Sequence, residues 1–330
     1  MSLNPYKTLP SHHFWKKVVS EVSIADFDPV VRNSFYMSKT DKVATAGSCF
    51  AQHIAREVKA RGFNYFDVET AHSLVPKKLY NKYSYDVFSA RFGNIYSVRQ
   101  LLQLFQRAFD EMRPEISFWK IGEDNYVDPY RPTIQSPGYI NVFDLESDRN
   151  YHLSRVRKLF CEVDIFIFTL GLTEGWESIV DNSAYPVCPG LFDSEFSEAK
   201  YQFRNYTVSE VANDLQTFVN LLRNINPTCK IVLTVSPVPL IATYESNHVA
   251  CATTYSKSVL RVAAEEVCRR NRDIDYFPSY EIIVGSYNRG AYFESDLRSV
   301  TPAGVEHVMN TSSVRLKSEQ IQLVSVGRYF

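Results

Sequence analysis

The stretch Val43-Ala44-Thr45-Ala46-Gly47-Ser48-Cys49-Phe50-Ala51 decides how the chain is read. Val43–Ala46 has the character of a short buried strand, and Gly47 ends it. A helix is expected at once, from Phe50 to Arg61, with Gly62 as its C-terminal stop. In an α/β sheet such a strand-to-helix turn lies at the carboxyl edge, where ligands bind. Cys49 is therefore a candidate nucleophile. The helix N-terminus beside it favours a thiolate over a thiol and so raises reactivity at neutral pH. Ser48 is the rival nucleophile. A small cysteine packed in the core is the plain alternative.

Working outward, further apolar runs read as buried parallel strands: Phe63–Phe66, Val163–Leu170, Lys230–Val235 and Ile274–Phe277. Helical periodicity alternates with them over Ser97–Glu111, Leu153–Phe160, Thr207–Asn224, Tyr255–Arg270 and Val300–Met309. The last of these follows Thr301-Pro302, and proline suits a first helical turn. This alternation predicts an α/β fold, a three-layer α/β/α doubly wound parallel sheet. With no repeat, linker or low-complexity tract, residues 1–330 read as a single domain. Two segments break the alternation, near 112–150 and 176–205. Long insertions of this kind are lids, binding loops or inert coverings. Tyr130 and Trp176 within them are candidates either for lining a sugar site or for packing.

Bulk composition narrows the function classes. Lys and Arg number 36 against 37 Asp and Glu, a net charge of -1, which gives no reason to expect nucleic acid as partner. No apolar run approaches the roughly 18 residues of a membrane span. The first residues lack the apolar core of a secretory signal. The six cysteines are scattered without a C-x-x-C pair, which favours reduced thiols over disulfides or zinc. A cytoplasmic location is expected on these grounds. No phosphate-cradling glycine loop or metal-ligand spacing is seen, so no cofactor is expected.

The motif Gly47-Ser48-Cys49-Phe50-Ala51 also resembles the GSCFA domain family, a branch that looks similar to the SGNH (GDSL-type) hydrolases. The likeness continues through Arg91-Phe92-Gly93-Asn94-Ile95-Tyr96, Thr169–Trp176, Thr234–Pro239, Tyr255–Arg261 and Tyr276–Glu281. It thus runs from about residue 41 to 309 and implies an SGNH-hydrolase or flavodoxin-like sheet. Laid on the hydrolase pattern, Cys49 takes the nucleophile position and Ser48 the aspartate position. Gly93 matches an oxyanion-hole glycine, with Asn94 beside it at the substrate. Gly171-Leu172-Thr173 matches a Gly-x-Asn block, so Thr173 stands where an asparagine donor is expected; a hydroxyl can also donate to an oxyanion. The closing Asp-x-x-His block falls on Asp296-Leu297-Arg298-Ser299. Asp296 is retained, but Ser299 replaces the histidine base.

The base must then come from elsewhere, or be dispensable, since a thiol ionises more readily than a hydroxyl. His248, after the Thr234–Pro239 block, is the first candidate; His53 and His307 follow. Glu174 could orient a base or bind a substrate hydroxyl. Lys257 and Arg261, four apart on one helix, could bind a phosphate or carboxylate, as on acyl-coenzyme A used as a donor. The expected activity is acyl-ester hydrolysis or acyl transfer through Cys49, on a small-molecule or carbohydrate acyl ester. The resemblance places such chemistry in bacterial polysaccharide metabolism. The alternative is a non-catalytic small-molecule or glycan binder on a degenerate scaffold of the same type.

Overall fold

The computed structural model describes residues 4–31, 35, 37–136, 138–192 and 196–311. Its centre is a parallel sheet of four strands: β1 (Val43–Gly47), β4 (Ile165–Leu170), β8 (Lys230–Val235) and β9 (Ile274–Tyr276), in the order β1-β4-β8-β9. Tyr65 forms a parallel bridge to Val43 on the outer side of β1. The strand expected at Phe63–Phe66 is thus reduced to one bridging residue. Val43 donates to Asn64 O at 2.9 Å, and Phe66 donates to Val43 O at 2.8 Å. The chain leaves β1 toward Tyr65 and later returns to the other side at β4. The carboxyl ends of β1 and β4 therefore flank the point where the winding reverses, the usual binding crevice of such sheets.

Alternation along the strands sends side chains to two cores. In β4, Phe166, Phe168 and Leu170 face a cluster with α2 (Val98–Ala108), α3 (Val142–Glu162), α4 (Val208–Ile225) and α5 (Val249–Arg270). Ile165 and Ile167 face the opposite cluster, with α1 (Ala51–Ala60), α6 (Ser279–Val284) and α7 (Pro302–Asn310). Helices on both faces complete the three-layer α/β/α architecture. Among the described residues no helix is long and apolar enough to cross a membrane.

Capping sets several boundaries. Ser97 and Thr207 each form a reciprocal capping box, with Gln100 and Glu210. Thr301 caps α7 just before Pro302. The short helix expected at Leu153–Phe160 is instead part of a 21-residue helix starting after Asn141, whose side chain accepts from Asp144 N. Its inward face carries Asp148 and His152 between Leu145 and Val156, which masks the apolar stripe.

The two insertions are structured. In the first, β2 (Trp119–Ile121) and β3 (Asn125–Val127) form a hairpin. In the second, β5 (Glu174–Ser178), β6 (Ala184–Tyr185) and β7 (Tyr201–Asn205) form an antiparallel sheet in the order β6-β5-β7. They meet in a small core of Trp119, Tyr185 and Tyr201, where the Trp119 indole donates to Tyr201 OH at 3.0 Å.

Gly47 is the tightest point of the main sheet. Its φ is +135°, and a Cβ there would lie 2.3 Å from Thr169 O in β4. Gly62 also has positive φ, +73°, but its missing Cβ would meet nothing within 4 Å. Urea denaturation should separate the two: Gly62→Ala loses about 1 kcal/mol from backbone strain alone, whereas Gly47→Ala loses about 3 kcal/mol or more because the strands must part. Equal losses would show that the close approach of β1 and β4 is not a constraint.

Candidate active site

Three loops meet at the carboxyl ends of β1 and β4. Ile95 N–H donates to Gly47 O at 2.8 Å, which ties the 93–96 loop to the end of β1. Gly171 and Leu172 both donate to Tyr96 O, at 3.0 and 2.9 Å, which ties the same loop to the end of β4. A side chain at Gly171 would come within 2.9 Å of Tyr96 O and 3.1 Å of Ser48 Cβ. This glycine is required for close approach, and its amide is already used.

Cys49 lies in the turn between β1 and α1 and is exposed. Its carbonyl accepts from Gln52 N at 3.2 Å, which begins the helix. Ser48 is only 3% exposed, and its hydroxyl is enclosed without a hydrogen-bond partner among the described residues. The backbone amides of Cys49 and Gly93 likewise have no partner among the described residues. Gly93 sits at φ +71°, a conformation glycine adopts without cost.

The largest departure from expectation is Lys257. Instead of sharing an open basic face with Arg261, it is 1% exposed and donates from Nζ to Gly171 O at 2.7 Å. Burial pushes its amine down to about 7; a charge on Cys49 acts to raise it, and Arg298 acts to lower it. Tyr96 also lies within the field of Cys49: burial and Cys49 raise its phenol, while a bond from Asn94 Nδ2 at 3.1 Å and Arg298 oppose them. Arg261 is occupied elsewhere. It pairs with Glu265 and Glu281, each at 2.9 Å, and lies over the Tyr276 ring at 3.9 Å. The two cations thus form no common anion clamp. Lys257 shares its helix face with buried Leu260 and Ala264, a lysine in an apolar stripe, and that was a legible sign of burial.

The other expected residues are placed as follows. Thr173 is fully buried; its hydroxyl donates to Asn205 Oδ1 at 2.7 Å and its amide to Ser256 Oγ at 3.0 Å. The hydroxyl is therefore committed, not offered to an oxyanion. Glu174 accepts from Thr243 Oγ1 at 2.7 Å and from Tyr244 N at 3.3 Å. His248 is an exposed N-cap of α5, with Nδ1 accepting from Ala250 N at 3.2 Å; no bond joins it to Cys49 among the described residues. His307 uses both ring nitrogens, toward Tyr292 OH and Phe27 O. In His53, burial and then Arg56 disfavour the charged ring. Asp296 is spent on its own turn. Bonds from Ser299 Oγ, Arg298 N and Ser299 N hold its carboxyl down at about 2. Arg298, one residue before Ser299, donates to Pro239 O at 3.2 Å. Tyr96 and Arg298 were inside the quoted motifs but were not singled out as site residues.

Beneath the 91–96 loop lies a buried charge network. Arg91 donates from its backbone to Glu69 at 2.7 Å and from its side chain to Tyr83 O and Asp148, at 2.9 and 3.2 Å. Arg131 binds Asp128 at 2.9 Å and Asp148 at 2.6 Å, and His152 Nδ1 meets Glu69 at 2.7 Å. Burial alone would raise the Asp128 carboxyl, but Arg149, Arg131 and Arg107 hold it far below its usual range. Tyr130 belongs to this region: the Arg107 guanidinium covers its ring at 4.0 Å. Trp176, by contrast, borders an open cavity of about 540 Å³ beside Tyr96 and Leu172. Among the described residues no cluster of side chains suited to a metal ion is present.

Comparison with known proteins adds the following. No curated protein matches the sequence. Solved structures also resemble the chain, among them two at low identity. One is an acetyl esterase mutant with acetate ion, at 11% identity and TM-score 0.31, over 82% of this chain and 94% of that one. The other is a carbohydrate esterase family 3 protein from Talaromyces cellulolyticus, at 12% identity and TM-score 0.28, over 82% of this chain and 94% of that one. The fold and site stand on the chain's own geometry, independent of these likenesses. The family model described as "GSCFA family" matches residues 42–311, which contain the whole parallel sheet and all three loops of the site. The chain belongs to the GSCFA family.

Proposed function

We propose that the protein is an acyl-ester hydrolase or acyltransferase in which Cys49 is the nucleophile, with a carbohydrate-linked acyl ester as the substrate. The observation that carries this reading is an exposed Cys49 in the turn after β1, where the 93–96 loop and the end of β4 are tied together and Lys257 is buried beneath Gly171. The enclosed Ser48 hydroxyl is out of reach of a substrate, which favours the thiol over its neighbour.

The Cys49 thiol loses its proton to solvent, and the charge this leaves on Cys49 favours a proton on the buried Lys257 amine, opposing the desolvation that pushes that amine down to about 7. Sγ attacks the acyl carbon. The developing oxyanion takes hydrogen bonds from the Cys49 and Gly93 amides, each worth roughly 3–4 kcal/mol in a well-formed oxyanion hole. The carbon–oxygen bond to the leaving alcohol breaks, water protonates the alkoxide, and a thioester remains. Water or a sugar hydroxyl then attacks the thioester, the carbon–sulfur bond breaks, the thiolate is regenerated, and the attacking hydroxyl's proton passes to solvent water. A cationic neighbour in place of a histidine suits a thiol, which needs less help to ionise than a hydroxyl. A coenzyme thioester remains a chemically competent donor, although Lys257 and Arg261 do not form its phosphate clamp.

Alkylation with iodoacetamide, with each site assigned by mass spectrometry, tests this reading. Cys161 and Cys251 are exposed as well and serve as internal references. At pH 7, Cys49 reacts at least ~10-fold faster than either, and Lys257→Met removes that advantage while far-ultraviolet circular dichroism stays unchanged. Cys49→Ala abolishes turnover of aryl esters and acyl thioesters. A Cys49 no faster than its references would move the weight to a non-catalytic binding role.

Burial of Lys257 has a separate consequence for stability. Its folded value of about 7 lies below the ordinary lysine value of 10.5. Between these the unfolded chain binds more protons, so this group adds stability as pH rises from 7. Urea titrations at pH 7, 8 and 9 should show wild type gaining on Lys257→Met by up to about 1.4 kcal/mol per pH unit. A difference independent of pH would mean that the amine stays charged when folded.

A further inference from the structure

The cavity of about 540 Å³ beside the site is bounded by the β5–β7 sheet and by residues 240–244. Its size falls within the range of small-molecule sites. Tyr96 and Leu172 line it, and both belong to the loops tied together at the end of β1, where the Ser48-Cys49 turn begins. The rest of the wall is mainly apolar, including Val187, Phe203 and Leu240. Of the polar groups in the wall, the Tyr185 hydroxyl is buried without a partner among the described residues, while others are committed. Glu174 is held by Thr243 and Tyr244, and Gln100 Oε1 accepts from the Tyr96 and Ser97 amides, both at 2.9 Å.

Trp176 is packed among three other rings. Tyr244, Phe196 and Phe203 crowd the indole with centroids at 5.1, 5.2 and 5.8 Å, steeply inclined at 64°, 87° and 66°. A sugar needs partners for its hydroxyls as well as a ring to stack on, and this cavity supplies few of either. The mouth is apolar too: Ile241 is 81% exposed and Tyr244 63%. Solvent-facing apolar groups continuous with an apolar cavity mark a site for an apolar ligand.

We propose that this cavity binds an aliphatic acyl chain of about eight to twelve carbons, a length its volume admits, with the carbonyl end directed past Tyr96 toward Cys49. The inference rests on the proposed acyl chemistry and deepens it. The acyl group is selected here, and the carbohydrate or other alcohol portion lies outside the cavity.

The experiment compares p-nitrophenyl esters of two, four, eight and twelve carbons. On this inference kcat/KM rises roughly fourfold per added methylene until the cavity fills. Leu240→Trp, which fills the cavity, and Ile241→Asp, which charges its mouth, each lower the octanoyl-to-acetyl ratio at least ~10-fold. Because Ile241 is exposed, its variant tests the idea even if Leu240→Trp does not fold. Acetyl and octanoyl esters used equally well, or ratios unchanged in both variants, would overturn the proposal. If no ester is turned over, the acyl chemistry has failed but the cavity is still tested. Decanoate should displace anilinonaphthalene sulfonate from Cys49→Ala protein, and Ile241→Asp should weaken the displacement. Failure to displace the dye would overturn the cavity assignment by itself.

Discussion

The site depends on how closely three backbone segments approach one another at the carboxyl ends of β1 and β4. Gly47 O accepts from Ile95, Tyr96 O accepts from both Gly171 and Leu172, and Ser48 N donates to Thr169 O at 3.2 Å. These bonds leave no room for side chains at Gly47 or Gly171. The result is a rigid platform of main chain on which the Ser48-Cys49 turn stands. A turn placed on strand ends is held more firmly than one on a free loop, and the proposed chemistry would depend on positioning of this kind.

The third segment of that platform is fixed from below by charge. Glu69, Asp128 and Asp148 are balanced by Arg91, Arg131 and Arg149, and His152, whose charged form burial disfavours, is bonded to Glu69 beside them. Such a network is a poor source of net stability, because each ion gives up its hydration. Its components cannot be removed singly, since a lone buried charge costs about 3–5 kcal/mol. What it provides is geometry. Arg91 is tied to Glu69, Tyr83, Asp148 and Ile134, so the next residues, Phe92 and Gly93, have little freedom. The hairpin insertion contributes Asp128 and Arg131, and so acts as a brace for the site.

Charge and burial also account for the departure at the last motif. Where a histidine base is expected stands Ser299, bonded to Asp296 and turned into its own loop. The basic groups near the Cys49 turn are instead Arg298 and Lys257, the latter below the β4 loop with its amine pushed down to about 7 by burial. Under the proposed chemistry a hydroxyl nucleophile would be poorly served by this arrangement, because it needs a proton acceptor in contact, whereas a thiol ionises more readily.

Much of the fold was legible because its strands are short, apolar and separated by well-capped helices. β8 falls on the expected residues, and the Thr207 and Thr301 caps were readable from residue type and spacing. The long α3 was not, because Asp148 and His152 interrupt its apolar face, and only their distant partners Glu69, Arg91 and Arg131 make them buried residues. The place of Cys49 followed from a strand-glycine-helix pattern, which is local. The commitments of Thr173, Asp296 and Lys257 did not, because each depends on a partner or a burial that one-dimensional spacing does not encode. The sequence by itself determined the layered sheet and the turn that carries Cys49, since hydrophobic alternation and glycine act over a few residues. Only the tertiary structure decided which charges surround that turn and which cavity opens beside it, because burial and Coulomb coupling depend on contacts between segments more than 80 residues apart, as in the bond from Lys257 to Gly171.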